Sequence, residues 1–356
     1  MANKNLLIDD KIGQRFIFGI NSSDIECILK LIKNYKIGGV ILYKKNYNSY
    51  DEMLDVIKKI KLANKKNNIP LFIAIDQEGG RVNRLPDCFH NLKSIYDVSS
   101  KGESFVCNYA NIISDILYKS GINMNFAPVL DLYDDYKSKL LYKRCFYGDI
   151  SNITNLAKSY IRTSKKNNVL SVVKHYPGHG ASSFDSHLII PYVFNYSSVL
   201  NRHMAVFNNV IDDTDALMAG HIIIRKLTKL LPCTISDGFL NKKLRIEQGY
   251  DGLLITDELN MLKRNFIYRF IYLNKALKSC NDMLLVKIKN YNEGEKIINK
   301  YKRILKKRQL YVNRLSDNVN RILCVKKKYN INDNVLYDGV SISSVNDRID
   351  SINGRV

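Results

Sequence analysis

The amino-acid sequence predicts an α/β fold, a single (β/α)8 TIM-type barrel. Two observations predict it: short, nearly continuous apolar runs recur along the chain, and helical patterns separate them. The length of 356 residues, 46% of them hydrophobic, is enough for one large core, because single barrels commonly exceed about 250 residues. The runs are Phe16–Ile20, Ile37–Tyr43, Leu71–Ile75, Met124–Leu130, Leu170–Val173, Ala216–Ala219, Leu253–Ile255 and Met283–Val286.

The segments between these runs carry the apolar spacing of helices. Asp51 precedes one such pattern and Ser236 another, and both residue types are common at helix N-termini. Strands that alternate with helices predict parallel strands joined by right-handed crossovers. A doubly wound open sheet is the alternative to a closed barrel. The helical patterns are Ile25, Ile28, Leu29 and Ile32; Met53, Ile57 and Ile60; and Leu240 and Leu244.

The glycines and prolines mark no linker, so we expect one barrel domain over residues 1–330. The basic stretch Lys300–Lys328 includes apolar residues and is interpreted as terminal barrel helices. Residues 331–356 form a polar C-terminal tail without clear periodicity, which either wraps the barrel or is mobile.

The formal charge is +21, since 55 Lys and Arg oppose 34 Asp and Glu. Such a charge suits nucleic acid, an anionic surface or an acidic substrate. Here the excess is mostly Lys scattered among Asn, Ile and Tyr, as in AT-rich genomes, and no nucleic-acid motif accompanies it. We therefore expect no nucleic-acid partner.

The seven cysteines are widely spaced and form no C-x-x-C, which favours reduced thiols over disulfides or zinc. Met1–Asp10 lacks the apolar stretch of a signal peptide, and no run is long enough to span a membrane. The expectation is a cytoplasmic monomer with no membrane partner.

Polar and ionisable residues follow at least five of the eight apolar runs. Because the active site of a parallel barrel lies where the strands end, these residues should surround one mouth of the barrel. Four of the six histidines are among them. The residues are Asp76-Gln-Glu-Gly-Gly-Arg-Val-Asn-Arg84, Asp131, Lys174-His-Tyr-Pro-Gly-His-Gly180 with Asp185-Ser-His187, Gly220-His221 and Thr256-Asp257-Glu258.

The glycine-rich stretches have neither the ending of a P-loop nor the spacing of a dinucleotide fingerprint. Asp185 and His187, with His175 and His179 upstream, are a conceivable set of metal ligands. We nevertheless expect no metal and no cofactor.

Three motifs resemble those of the glycoside hydrolase family 3 β-N-acetylglucosaminidases: IDQEGGRVNR (75–84), KHYPGHG (174–180) with DSH (185–187), and ITDELNM (255–261). The single-domain enzymes of bacterial peptidoglycan recycling look most similar. The similarity runs in matching order from about Gln14 to Lys328, and includes NFAPVLD (125–131) and LSDNVNRIL in the last helix.

The resemblance implies a retaining exo-β-N-acetylglucosaminidase that removes non-reducing terminal β-1,4-linked N-acetylglucosamine from muropeptides or disaccharides. It implies that Asp257 is the nucleophile, that His187 is the general acid/base and that Asp185 orients His187. Glu78 and His179 are assigned to loop architecture. The residues implied to hold the sugar are Asp76, Arg84, Arg144, Lys174 and His175. A β-glucosidase-type enzyme of the same fold, or a sugar-binding barrel with weakened catalysis, remains the alternative.

The chain departs from the family pattern beside several of these positions. Glu258 stands where a second Asp is usual, Tyr147 stands at a glycine position, and Asn281 replaces a common glycine. Tyr133–Lys139 lacks the usual Asn-Pro turn. These departures remove no catalytic group, but they bear on loop geometry.

Overall fold

The computed structural model of this chain describes residues 6–133, 141–181, 191–193, 197, 199–262, 266–335 and 337–354. Eight parallel strand positions form the centre of the molecule, as the apolar runs predict. We label them β1 to β8. They are β1 (Phe16–Ile20), β2 (Gly39–Leu42), β3 (Phe72–Ile75), β4 (Met124–Asn125), β5 (Leu170–Ser171 and Val173–Tyr176), β6 (Ala216–Ala219), β7 (Leu253–Thr256) and β8 (Leu284–Ile288).

The strands pair in chain order, and the ring closes. β1 pairs with β8 and with β2, and parallel pairing continues through β3 and β4 to β5. β5 pairs with β6, and β6 with β7. The Ile255–Met283 bridge then joins β7 to the start of β8. This closure confirms the barrel and excludes the open sheet.

β4 is shorter than the apolar run that predicted it. It ends at Asn125, whereas the run continues to Leu130. Pro128 has no N–H to donate, and Val129 instead bridges Lys174 of β5 and Cys145. The irregular segment carries Asp131 toward the mouth of the barrel.

Helices surround the barrel. They are α1 (Ile8–Gln14), α2 (Glu26–Tyr35), α3 (Tyr50–Asn64), α4 (Ile95–Ser99), α5 (Glu103–Lys119), α6 (Ile150–Lys166), α7 (Met204–Val210), α8 (Arg225–Thr228), α9 (Asp237–Leu240), α10 (Phe266–Lys278), α11 (Tyr291–Leu305), α12 (Gln309–Lys328) and α13 (Ile342–Asn353). The 3-10 turns are Lys44–Asn46, His179–Ala181, Ile211–Asp213, Cys233–Ile235 and Leu259–Leu262. Val199–His203 and Asn241–Glu247 are π-helical, and the short strands Tyr192–Val193 and Ile223–Ile224 pair beside the barrel.

Alternation along each strand divides the core into two layers. In β1, Phe16 and Phe18 pack outward against the helices, whereas Ile17 points into the barrel. Ile41, Met218 and Leu285 also pack inside the barrel. Both faces of each strand are thus buried, which explains why the runs are continuously apolar.

Asn281, one of the departures from the family pattern, has a structural role just before β8. Its side chain donates to the carbonyl of Thr234 at 2.8 Å and to Ser279 Oγ at 2.6 Å. Its own carbonyl accepts from the buried Arg15 at 2.6 Å, and Arg15 also donates to Tyr301. The extra side chain therefore ties the start of β8 to its neighbours.

The tail after residue 330 contains a helix, although the sequence analysis found no clear periodicity there. It runs along α3 and α5 and ends in α13, which buries Val345, Ile349 and Ile352. Their spacing of four and three residues is that of one helical face. The described part of the tail therefore wraps the barrel, which was one of the two alternatives, the other being a mobile tail. The domain boundary at residue 330 stays a prediction.

Candidate active site

A cavity of about 480 Å³ lies at the carboxyl ends of the strands, within the range of small-molecule sites. Asp76, Lys174 and Asp257, from three different strands, line it. Asp131 and His221 lie directly behind its wall, in contact with lining residues. The structure thus places these five strand-end residues around one mouth of the barrel.

Glu78 holds two of the expected sugar-binding cations together. Arg144 donates from Nε and Nη2 to its two oxygens, both at 2.7 Å, and Lys174 Nζ lies 2.7 Å from Oε1. Lys174 also donates to Asp76 at 2.9 Å. The side chains of Glu78, Lys174 and Arg144 are only 4%, 3% and 12% exposed. Glu78 is therefore the centre of a buried ion cluster, a connection that the sequence did not reveal.

The neighbouring charges in this cluster shift the pKa values of Glu78 and Lys174. Burial raises the pKa of the Glu78 carboxyl, but Arg144 and Lys174 outweigh it and hold the pKa far below its usual range. Burial lowers the pKa of the Lys174 ammonium, but Asp76 and Glu78 leave that pKa above its usual value. The carboxylate and both cations are consequently charged at neutral pH.

Gly79 allows the chain to turn directly after Glu78. Its φ is +82°, and a Cβ there would lie 1.9 Å from the hydroxyl of Tyr109. That hydroxyl donates to the carbonyl of Glu78 at 2.6 Å. A side chain at position 79 would thus displace the hydrogen bond that holds Glu78 in place.

Asp131 orients the two histidines of the KHYPGHG motif. It accepts from the ring of His175 at 2.6 Å and from the backbone N–H of His179 at 2.6 Å. Burial raises the pKa of the Asp131 carboxyl, but the two histidines bring it below its usual value. His175 lines the cavity, so Asp131 fixes a ring in the cavity wall.

Asp257 follows β7 directly and faces the cavity. Its N–H donates to the carbonyl of Ala219 in β6 at 3.0 Å, and its Oδ1 accepts from the N–H of Glu258 at 2.7 Å. Burial raises the pKa of its carboxyl, but His221, His175 and Lys174 bring it below the usual value. Asp257 is an ionised carboxylate at the end of a strand, and the Lys174 ammonium is one of the groups that favour its charge.

The carboxyl group of Glu258, the residue next to Asp257, is bonded to the backbone. Its Oε1 accepts from the backbone N–H groups of Asn260 at 3.1 Å and Lys287 at 3.3 Å. Burial, together with the charge of Asp257, raises the pKa of its carboxyl. The carbonyl of Glu258 lies 2.9 Å from His221 Nε2, so His221 fixes this turn from behind.

Lys287 is a cavity residue that the sequence analysis missed. It follows the last apolar run directly, and Asp257 is separated from the run before it only by Thr256, so the same reading would have found Lys287. Its ammonium lies 5.2 Å from the ring centroid of Tyr43, which lines the same cavity. Lys287 also lines a second cavity of about 620 Å³, so it stands in the wall between the two.

Arg84 also lines the cavity. Gln77 Oε1 accepts from the N–H of Arg84 at 2.8 Å, and Tyr47 donates to the Arg84 carbonyl at 2.9 Å. The five expected sugar-binding residues therefore share one cavity, with Arg144 and Lys174 joined by Glu78.

Two of the expected catalytic residues, Asp185 and His187, lie outside the described residues. So do all but the first residue of Tyr133–Lys139. Tyr147 is described: its ring packs edge-on against Tyr96 at 5.3 Å and is 48% exposed. It does not line the cavity that Asp257 faces.

Comparison with known proteins decides the family. Residues 7–325 match the model of the glycosyl hydrolase family 3 N-terminal domain. A curated β-hexosaminidase of Methylobacillus flagellatus is 32% identical over 243 residues, 65% of this chain and 68% of that protein. The chain belongs to glycoside hydrolase family 3. A β-hexosaminidase of Vibrio cholerae is 30% identical over 236 residues, 65% of this chain and 69% of that relative.

Two solved structures share the fold of this chain. The family 3 β-N-acetylglucosaminidase of a Paenibacillus species superposes with a TM-score of 0.86 at 25% identity, over 98% of this chain and 68% of that one. The β-N-acetylhexosaminidase of Beutenbergia cavernae, at 20% identity, shares the fold with a TM-score of 0.81 over 91% of this chain and 99% of its own. This family 3 chain is thus a glycoside hydrolase with the expected barrel.

Across the part of the chain that the structure describes, no three His, Cys, Asp or Glu residues gather as metal ligands would. None of the helices described has both the length and the apolar character to cross a bilayer.

Proposed function

We propose that this family 3 protein is a retaining exo-β-N-acetylglucosaminidase, with Asp257 as nucleophile. The observation that carries the proposal is the position of Asp257: an ionised carboxylate at the end of β7, facing a cavity of about 480 Å³ lined by the side chains expected to bind the sugar. Two curated β-hexosaminidases at 32% and 30% identity support the choice of substrate.

Glycoside cleavage passes through an oxocarbenium-like transition state, which a carboxylate beneath the anomeric carbon stabilises. In the proposed first step, a carboxylate oxygen of Asp257 bonds to that carbon. The bond to the leaving oxygen breaks, and His187 gives that oxygen its proton. In the second step, His187 takes a proton from water, whose oxygen bonds to the anomeric carbon and releases Asp257. Attack from opposite faces in the two steps retains the β-configuration.

His187 suits both steps because the pKa of a free imidazole lies near neutrality. Asp185, two residues earlier, would accept the other N–H and stabilise the imidazolium, like the orienting Asp of a serine-protease triad. A short loop holding both residues could close on the sugar and open again for release. These roles rest on the family resemblance of the DSH motif.

The sugar hydroxyls would be held by the ion cluster around Glu78. Asp76 can accept from two hydroxyls, and Arg84, Arg144 and Lys174 can donate to hydroxyls and to an acetamido carbonyl. Because Glu78 already accepts from Arg144 and Lys174, it fixes both donors before substrate arrives. Such preorganisation lowers the cost of binding.

The finer context is also part of the proposal: a muropeptide or disaccharide substrate in peptidoglycan recycling, in the cytoplasm, by a monomer. A muropeptide carries carboxylates, which a chain with a formal charge of +21 would attract. In this proposal, Lys287, which lines both cavities, contacts the part of the substrate that leaves.

The test compares release of p-nitrophenol from its β-N-acetylglucosaminide and its β-glucoside, using the unaltered protein and Asp257→Ala. We expect a strong preference for the acetamido sugar and no turnover by the variant. Equal rates on the two sugars would favour the β-glucosidase alternative. Binding without turnover of either sugar would favour a sugar-binding barrel.

A further inference from the structure

The C-terminal segment beyond residue 330 lies outside the part of the chain that matches the family model, residues 7–325. It nevertheless reaches the neighbourhood of the cavity. Lys61 of α3 donates to the carbonyls of Asn332 and Val335, and the N–H of Val340 donates to the hydroxyl of Tyr50. The segment thus follows α3 before α13 begins.

α13 then packs against α5 and ends beside residues 88–93. Two asparagines hold this segment, each with a donor and an acceptor. Asn346 donates to the carbonyl of Cys88 at 2.9 Å and accepts from the N–H of His90 at 2.8 Å. Asn353 donates to the carbonyl of Asn91 at 3.0 Å and accepts from the N–H of Lys93 at 2.9 Å. We call Asn346 and Asn353 the clasp.

The segment held by the clasp is bonded in turn to the loop that carries Asp76, Glu78 and Arg84. The N–H of Gly80 donates to the carbonyl of Leu92 at 2.8 Å, and Asn91 donates to the carbonyl of Gly80 at 2.9 Å. The hydroxyl of Tyr109 contacts both sides, at 2.6 Å from the Glu78 carbonyl and 3.2 Å from that of Lys93. One layer of backbone therefore separates the clasp from the substrate-binding loop.

We propose that Asn346 and Asn353 are positioning residues for substrate binding: through residues 88–93, they fix the loop that places Asp76, Glu78 and Arg84. The proposal rests on the proposed function, since it assumes that this loop binds the sugar. An amide that accepts one backbone N–H and donates to one carbonyl fixes the segment in position and in register. Asn353 is 1% exposed and its two bonds are partly buried, whereas the two bonds of Asn346 are exposed to solvent.

A matched control exists on the same helix. Arg348 Nη1 lies 2.7 Å from Asp115 of α5, so it attaches α13 to the barrel without touching residues 88–93 in any contact described. Replacing Arg348 tests whether loosening α13 is by itself enough to raise KM. Replacing the clasp tests the connection to the loop.

The experiment compares Asn346→Ala/Asn353→Ala with Arg348→Ala, using the aryl β-N-acetylglucosaminide. Losing interactions made equally in ground and transition state raises KM and leaves kcat nearly unchanged. We expect KM of the clasp variant to rise about tenfold, as the loss of several hydrogen bonds implies. We expect Arg348→Ala to stay within about twofold of the unaltered protein. Equal KM values in all three proteins, or a KM that rises equally in both variants, would overturn the proposal.

Amide hydrogen exchange gives a second readout that does not depend on turnover. The N–H groups of Glu78, Gly79 and Gly80 should exchange faster in the clasp variant than in Arg348→Ala. An unaltered protein without activity on the aryl substrate would refute the proposed function. Faster exchange at residues 78–80 in the clasp variant than in Arg348→Ala would still support the clasp, and equal exchange in the two variants would refute it.

Discussion

Replacing Glu78 with Gln should uncouple the cations of the candidate site. The side chains keep nearly the same shape, but the amide has one acceptor oxygen and no charge. In the structure, the two carboxylate oxygens accept from Arg144 at 2.7 Å, and Oε1 also lies 2.7 Å from Lys174 Nζ. The amide group of Gln would meet one of these donors with a donor of its own.

The cost follows from the burial of the cluster. All three side chains are at most 12% exposed, so solvent does not screen the loss. Removing one partner of a buried ion pair costs about 3–5 kcal/mol, because the opposite charge stays buried without it. We expect the free energy of unfolding to fall by this amount. If about 2.7 kcal/mol of it appears in the transition state, kcat/KM falls about 100-fold.

The assay is urea unfolding combined with hydrolysis of the aryl β-N-acetylglucosaminide. The control is Glu247→Gln, which breaks the surface pair of Glu247 with Lys243; their side chains are 39% and 29% exposed. Such pairs contribute about 0.2–1 kcal/mol. A Glu78→Gln protein within about 0.5 kcal/mol of the unaltered protein, with kcat/KM within about twofold, would refute the assignment of Glu78 as the centre of the cluster.

The stability that Glu78 contributes through Arg144 and Lys174 should depend on pH. The folded pKa of Glu78 is depressed, so its stabilisation is fully present above the ordinary pKa of a glutamate. It is lost as pH falls through the folded pKa, because the protonated group no longer pairs with Arg144 and Lys174. The difference between Glu78→Gln and the unaltered protein should therefore shrink as pH is lowered below about 4.5. A difference that grew in acid would contradict the sign.

Three further predictions concern His179, His187 and the proposed nucleophile Asp257. Burial lowers the pKa of His179 from 6.5 to about 4, so the unfolded chain binds the proton first and stability falls as pH drops through this window. His179→Gln should remove roughly 3 kcal/mol of that fall, measured by urea unfolding at several pH values; an unchanged pH dependence would contradict it. His187→Ala should slow a natural disaccharide by orders of magnitude and an acidic aryl glycoside much less in its first step, with Asp185→Asn milder; equal slowing would remove His187 as the acid/base. Asp257→Ala should abolish turnover of both substrates while its circular dichroism stays unchanged; residual turnover of either would contradict its role as nucleophile.

The parts of the site that follow from strand ends could be predicted from the sequence. Asp76, Lys174 and Asp257 each come at or beside the end of an apolar run, and parallel strands bring those ends together. Lys287 obeys the same rule and could have been found by it. The partners of Glu78 could not, because spacing along the chain does not say which charges a loop residue faces.

The polar composition of the C-terminal tail concealed its helix, α13. Polar residues dominate it, and only Val345, Ile349 and Ile352 carry the periodicity of α13. Three apolar residues suffice for a helix that covers an existing wall, since it buries a single face. The clasp itself depends on two asparagines that meet backbone groups more than 250 residues earlier, a contact with no local signal.

The central claim is that Asp257 forms a bond to the anomeric carbon of β-N-acetylglucosamine. The most direct measurement is mass spectrometry of His187→Ala after mixing with an aryl β-N-acetylglucosaminide whose phenol is acidic. Glycosylation then proceeds with little need for an acid, whereas deglycosylation lacks its base, so the intermediate accumulates. We predict an added N-acetylglucosaminyl group on the peptide that contains Asp257. An adduct on a different peptide, or phenol release with no adduct at any time, would contradict the account.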